Sequence, residues 1–309
     1  MSLLAMLKGK GDSGFGYGST AEEVTEGLDL TGMTFLLTGC NSGLGQETMR
    51  VLTMRGATIL GLARSMEKAT EACRPFGERA VPFECDLSEP ASIMACVEAI
   101  RGMSYELDGI IANAGIMALP KLHKAHGYEL QFFTNHIGHF ILVTELLDQL
   151  KNVARVVIVS SMAHRQAPPG GILFDRLSGE GWYKSWVAYG QSKLANILFA
   201  KELAQRFEGT NHTANALHPG VIRTNLSRHM GSAANVMMAL MGPLFMKTIP
   251  QGAATQCYAA VHPDAAVISG AYFDDCNIGK PTDLANDLAL AKKLWDVSEE
   301  IKQKVLSEH

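Results

Sequence analysis

The 309-residue sequence predicts an α/β protein built on one doubly wound parallel sheet of about seven strands, with helices on both faces. Three observations predict it. Short apolar runs alternate with helical patterns along most of the chain, the arrangement of successive βαβ units. Those runs are apolar at nearly every position, as strands are when helices cover both sides of a sheet. No Pro/Gly-rich linker divides the chain after residue 30, so residues 28–309 are expected to form a single domain despite their length.

The elements follow in order. Residues 1–27 are rich in glycine and polar side chains and read as a leader, mobile or draped on the surface. Strands are expected at 33–37, 58–62, 80–84, 109–112, 155–159, 213–217 and 270–273. Helices are expected near 43–54, 90–101, 129–151, 187–206 and 252–261. A methionine-rich stretch of low polarity, residues 229–246, stands apart from both patterns.

Composition excludes several functions. With 47% hydrophobic and 19% charged residues the chain is not disordered. A net charge of −4 offers no basic field for a phosphate backbone, so no nucleic-acid partner is expected. The apolar runs fall short of the ~18 residues a spanning helix needs. The start lacks the charged–apolar–cleavage order of a signal peptide, which points to the cytoplasm. Six scattered cysteines without a CxxC read as small buried hydrophobes, and ten histidines without an HExxH give no metal site.

The residues that carry chemistry stand at expected strand ends. The first strand runs into Thr38-Gly39-Cys40-Asn41-Ser42-Gly43-Leu44-Gly45 and then a helix. Such a turn lets the backbone approach a pyrophosphate while the helix N-terminus supplies free N–H groups. The second strand ends at Arg64, where a site for NAD wants an acidic side chain on the ribose. Arginine there pairs with a 2′-phosphate and points to NADP(H); an exposed strand-end arginine is the plainer alternative. Asp86-Leu87 after the third strand offers a carboxylate to an adenine amino group, or serves only to cap a turn. Asn113-Ala114-Gly115 closes the fourth strand with small residues against which a ribose can lie. Ser160-Ser161 closes the fifth, and Tyr189 and Lys193 share one helix face four residues apart. A nearby ammonium lowers a phenol's pKa from about 10, which suits proton exchange with a carbonyl or alcohol oxygen. A serine hydroxyl beside it can hydrogen-bond that oxygen.

Taken in this order, with Asn135 and Pro219-Gly220 between and after them, the motifs resemble the short-chain dehydrogenase/reductase family over about residues 28–285. The resemblance implies a Rossmann-type fold. It also implies roles: Tyr189 as general acid/base, Lys193 as its pKa partner and ribose ligand, Ser161 rather than Ser160 as the carbonyl ligand, and Asn135 as holder of a relay water. Pro219, Gly220, Val221 and Ile222 would contact the nicotinamide carboxamide, and Thr224 the carboxamide or pyrophosphate. Without the resemblance, Asn135, His136 and His139 read as polar filling of a helix.

Within the family, the likeness is to retinol-dehydrogenase-like members, including the WW-domain oxidoreductases and the dehydrogenase of the chloroplast inner-envelope import machinery. It rests on Ser19-Thr20-Ala21-Glu22-Glu23-Val24, on Tyr189-Gly190-Gln191-Ser192-Lys193, and on Leu217-His218-Pro219-Gly220. As in that subgroup, the segment 162–188 between Ser161 and Tyr189 is long. It is expected to wall the substrate pocket or to alter the oligomer interface, the family forming dimers and tetramers. Residues near 225–250, with their methionines, would form a substrate lid for a bulky hydrophobic carbonyl or alcohol. A core or subunit interface, and a shallow membrane contact, are the other readings of the methionines. The expected activity is NADP(H)-dependent carbonyl–alcohol interconversion, with an NADP-binding scaffold or sensor of little turnover as the alternative.

Overall fold

The computed structural model describes residues 8–103, 105–222 and 246–308. Thr224 and all but the last residue of the methionine-rich stretch 229–246 lie outside the described residues.

Ten strands are assigned among the described residues: β1 Thr34–Thr38, β2 Thr58–Ala63, β3 Ala80–Glu84, β4 Leu107–Ala112, β5 Lys124–Ala125, β6 Tyr128–Glu129, β7 Leu150–Val159, β8 Thr213–His218, β9 Tyr272–Asp274 and β10 Asn277–Ile278. β5 and β6 form a small antiparallel ribbon. The other eight make one sheet in the order β10-β9-β8-β7-β4-β1-β2-β3, parallel except for the β9–β10 pair. The expected sheet is therefore present with one strand more than the seven read from the sequence. The extra strand, β10, has two residues and turns back on β9 through Asp275 and Cys276, both at positive φ. A strand that short carries no periodic signal.

The order in which strands are added reverses between β1 and β4, which pair in parallel. The chain first builds outward through β2 and β3, then crosses to β4 and builds the other way. That switch opens a crevice at the C-terminal strand ends, where ligands of open α/β sheets bind.

Helices cover both faces. One layer holds α1 Ala21–Val24, α2 Gly43–Met54, α3 Met66–Cys73 and α7 Ile249–Val261; the other holds α4 Pro90–Gly102, α5 Gly138–Glu145, α6 Ser185–Arg206 and α8 Leu288–Ser307. The strands feed both cores by alternation: Phe35, Leu37, Ile111, Val157 and Val159 enter the first, and Leu36, Ile110, Ala112, Val156 and Ile158 the second. The N-terminal segment docks on the first layer. Phe15 packs edge-on against Tyr258 and His262, and Gln251 Nε2 donates to the Gly18 carbonyl.

The helix expected over 129–151 is broken up. A short turn Leu130–Phe132 leads into a π-helical stretch Phe133–Ile137, then α5, which ends at Glu145. Leu150 begins β7 and pairs with Leu107. No glycine or proline marks that boundary, so the helical pattern runs on in the sequence while strand pairing decides the structure. α1, α3 and α8 are additions to the expected helices. α8 starts at a clear N-cap, Asp287, whose carboxylate accepts from the Leu290 N–H.

Candidate active site

The glycine turn between β1 and α2 is shaped by close approach. Gly39 has φ +71°, and a methyl there would lie 3.0 Å from Ala114 Cα. A methyl on Gly45 would overlap the Gly39 carbonyl oxygen. Asn41 is exposed, and Ser42, Gly43 and Leu44 are half-buried. Ser42 stands at the N-cap of α2 but makes no capping hydrogen bond, so the first N–H groups of the helix point out unsatisfied. This fits a dinucleotide pyrophosphate, which needs backbone donors and room against the turn.

β1 is tied to β4 through Thr38. Its hydroxyl oxygen accepts from the N–H groups of Asn113 and Ala114, each at 2.9 Å, and Asn113 Nδ2 donates to the Thr38 carbonyl at 2.8 Å. Thr38 Oγ1 also lies 2.9 Å from His139 Nε2, and His139 Nδ1 lies 3.0 Å from the Asn135 carbonyl. That carbonyl can only accept, so Nδ1 carries the proton and Thr38 donates to Nε2. One directed chain thus links the ends of β1 and β4 to the π-helical stretch.

Asn135 is wholly buried. Its side chain pairs with both polar atoms of Ile116, at 2.8 and 2.9 Å, and donates to Ser192 Oγ at 2.9 Å. Gly115 sits against it: a methyl on Gly115 would come 3.1 Å from Asn135 Oδ1 and 3.5 Å from Lys193 Nζ.

Ser160 and Ser161 part ways. Ser160 is buried and its hydroxyl donates to the Lys193 carbonyl at 2.7 Å, bracing α6 against β7. The Ser161 side chain lies close enough to the Tyr189 phenol to lower its pKa. Of the two, Ser161 is the one beside the phenol.

Tyr189 and Lys193 lie on the buried face of α6, with Lys193 Nζ 5.7 Å from the centre of the phenol ring. Lys193 donates to the Val159 carbonyl at 3.0 Å. Burial pushes the phenol up to about 12, against a smaller lowering by Ser161, and pushes the Lys193 ammonium down to about 8. Desolvation therefore outweighs the lowering of the phenol that the Tyr-x-x-x-Lys spacing suggests. At neutral pH the phenol is protonated.

Arg64 directly follows β2, is exposed and makes no hydrogen bond or ion pair among the described residues. Asp86 is partly committed: its Oδ1 accepts from the Ser88 N–H at 2.9 Å and the Ser88 hydroxyl at 2.6 Å, a turn-capping role. Leu87 is buried with its carbonyl against Gly138. Pro219 is buried, Gly220 has φ +98° and Val221 is exposed. Ile222 reaches back to the glycine turn, since a methyl on Gly252 would strike both Ile222 and Leu44.

Sequence reasoning did not single out His164 and His218, which bond to the backbone around Ser161, or Ser192, which joins Asn135 to the Tyr189 carbonyl. The His218–Met162 and Ser192–Asn135 partners lie on other elements, beyond any local signal, while the His164–Ser161 and Ser192–Tyr189 bonds span only three residues. Among the described residues no group of three or more His, Cys, Asp or Glu is placed to hold a metal, and no helix is long and apolar enough to cross a membrane.

The short chain dehydrogenase family profile matches residues 33–174. A Brassica napus protein, short-chain dehydrogenase TIC 32 B, chloroplastic, is 42% identical, with 96% of this chain and 98% of that protein covered. Human retinol dehydrogenase 14 is 40% identical over 87% of this chain and 86% of its own length. The chain belongs to the short-chain dehydrogenase family. Within that family this dehydrogenase is close to retinol-dehydrogenase-like members, and it shares their class, oxidoreductases. A solved structure of an uncharacterized Mycobacterium Paratuberculosis protein, 31% identical, superposes with a TM-score of 0.74 over 91% of this chain and 97% of the other. A short chain dehydrogenase from Burkholderia cenocepacia, solved with NADP, has the same fold at 22% identity, with a TM-score of 0.64 over 79% of this chain and 96% of the other.

Proposed function

We propose that this dehydrogenase uses NADP(H) to interconvert a carbonyl and an alcohol on a bulky hydrophobic substrate, with Tyr189 as general acid/base. The observation that carries the reading is the meeting of Tyr189, Ser161 and Lys193 next to Gly115, with the serine beside the phenol.

The cofactor would be held by the backbone from Gly39 to Gly45, by Asn113, Ala114 and Gly115, by Lys193, and by the strip Pro219 to Ile222. When bound it supplies the hydride. The rest falls to the protein. Ser161 donates to the carbonyl oxygen and holds it within reach of the phenol. Tyr189, protonated at neutral pH, gives that oxygen its proton as negative charge develops there. Asn135 keeps the wall beside Gly115 in place, and its carbonyl is the proposed holder of a relay water.

Apolar side chains support the substrate class. Met162, Trp186 and Val221 are exposed, and each neighbours a site residue: Ser161, Tyr189 and Gly220. The Trp186 ring stands edge-on to Tyr189, centroids 6.0 Å apart. Retinol dehydrogenases among the relatives fit the same chemistry by name.

NADP(H) preference rests on Arg64. Titration with NADPH and NADH should show tighter binding of NADPH, and turnover should appear on a panel of hydrophobic ketones and aldehydes. Arg64→Asp should shift preference toward NADH by about tenfold or more, the loss of one charge-assisted phosphate contact replaced by repulsion. An unchanged preference would make Arg64 a bystander.

A further inference from the structure

One peptide in the site is gripped at both polar ends by imidazoles. The carbonyl of the Ser161–Met162 peptide lies 2.7 Å from His164 Nδ1, and its N–H lies 3.2 Å from His218 Nδ1. Carbonyl oxygens only accept, so His164 Nδ1 carries a proton. Its Nε2 in turn accepts from the Thr282 N–H at 3.2 Å. His218 must accept from the Met162 N–H, so its own proton sits on Nε2. Both rings are therefore neutral in this arrangement, each in one tautomer, and both are buried. Burial, the largest cause, lowers the pKa of each.

Three further segments thus converge on that peptide. His164 comes from the long stretch after Ser161, His218 immediately precedes Pro219-Gly220, and Thr282 belongs to the loop before α8. Burying two imidazoles costs desolvation that apolar side chains would avoid. What the imidazoles achieve is orientation. Ser161 is extended, φ −161° and ψ 156°, and its hydroxyl also accepts from the Ala163 N–H at 3.2 Å. Fixing the plane of the following peptide constrains ψ and so the direction of the Ser161 Cα–Cβ bond, about which the Ala163 N–H then sets the hydroxyl.

We infer that His164 and His218 are positioning residues that aim the Ser161 hydroxyl at the reacting oxygen. The inference rests on the reading of Ser161 as the carbonyl ligand. It makes no demand on cofactor binding, which uses other atoms.

The test is a set of variants in two backgrounds. His164→Leu and His218→Leu should each lower kcat by about 10- to 100-fold, the scale of a misplaced catalytic group, with NADPH Kd changed less than about threefold. In a Ser161→Ala background the same changes should lower kcat by no more than about threefold further. Rescue separates geometry from bulk. Asparagine at 164 places an amide N–H near Nδ1, and asparagine at 218 places an oxygen acceptor there, so both should recover most of the lost kcat. If the leucine variants do not fold, His164→Asn against His164→Gln carries the test, because glutamine sets its amide one bond too far. Equal losses with and without Ser161 would overturn the inference, as would equal kcat for the asparagine and glutamine variants. Full turnover by Ser161→Ala alone would instead overturn the role of the serine, and the inference with it.

Discussion

Tyr189→Phe should lower turnover by about three orders of magnitude, within the range a positioned general acid contributes, while NADPH affinity changes less than about threefold. Phenylalanine keeps the ring that packs edge-on against Trp186 near the start of α6. Only the hydroxyl, which lies beside Ser161, is lost. The loss should fall on kcat, because the proton is needed at the developing alkoxide and not to bind the substrate. Single-turnover rates with calorimetric NADPH binding on the same preparation check both halves. A variant retaining more than a tenth of the turnover would remove Tyr189 from the proton transfer. The direction of reaction adds a second readout. A phenol held near 12 is protonated throughout the neutral range, so reduction should be flat in pH there. Alcohol oxidation needs the phenolate and should accelerate as pH rises; a pH profile of kcat/KM in each direction tests this.

What was legible in the sequence is what repeats locally. Glycine 39, 43 and 45 betray a tight turn because each spacing is short, and β1, β2 and β3 announce themselves by unbroken apolar runs. The choice of Ser161 over Ser160 is different in kind. It came from family resemblance, and its physical reason appears only when Ser160 is seen bonded to the Lys193 carbonyl. Asp86 shows the converse: both of its sequence readings were chemically sound, and the Ser88 hydroxyl 2.6 Å away supports the turn-capping one for Oδ1. The histidines were least legible. His139 reads as helix filling, yet it touches Thr38, 101 residues away; His164 reaches Thr282, 118 residues away. No periodicity encodes such pairs, because they depend on which strand ends the topology sets side by side.

Those histidines also make the fold acid-sensitive. Burial pushes His136 down to about 3 and His139 and His218 to about 4. An unfolded histidine titrates near ~6.5. Between those values the unfolded chain binds protons that the folded chain refuses, so stability falls as pH drops below about 6.5 and keeps falling until the folded pKa values are reached. Three such groups approach a slope of about 4 kcal/mol per pH unit, near ~1.4 for each proton. Each ring has a structural reason to stay neutral. His136 Nε2 donates to Ser298 Oγ, whose own proton goes to the Leu294 carbonyl, and Nδ1 lies buried with no hydrogen bond among the described residues. A proton on His139 Nε2 would face a Thr38 oxygen already accepting twice, and one on His218 Nδ1 would face the Met162 N–H. Burial raises the carboxyls of Glu129 and Asp274, which oppose the trend, but they titrate from the lower, carboxylate range. The urea midpoint should therefore drop steeply between pH 6.5 and 5, and His136→Gln should flatten that slope by about one proton. A midpoint that stays level over this interval would mean that these imidazoles protonate in the folded chain as readily as in the unfolded one, and the tautomers assigned around Thr38 and Ser161 would fall with it.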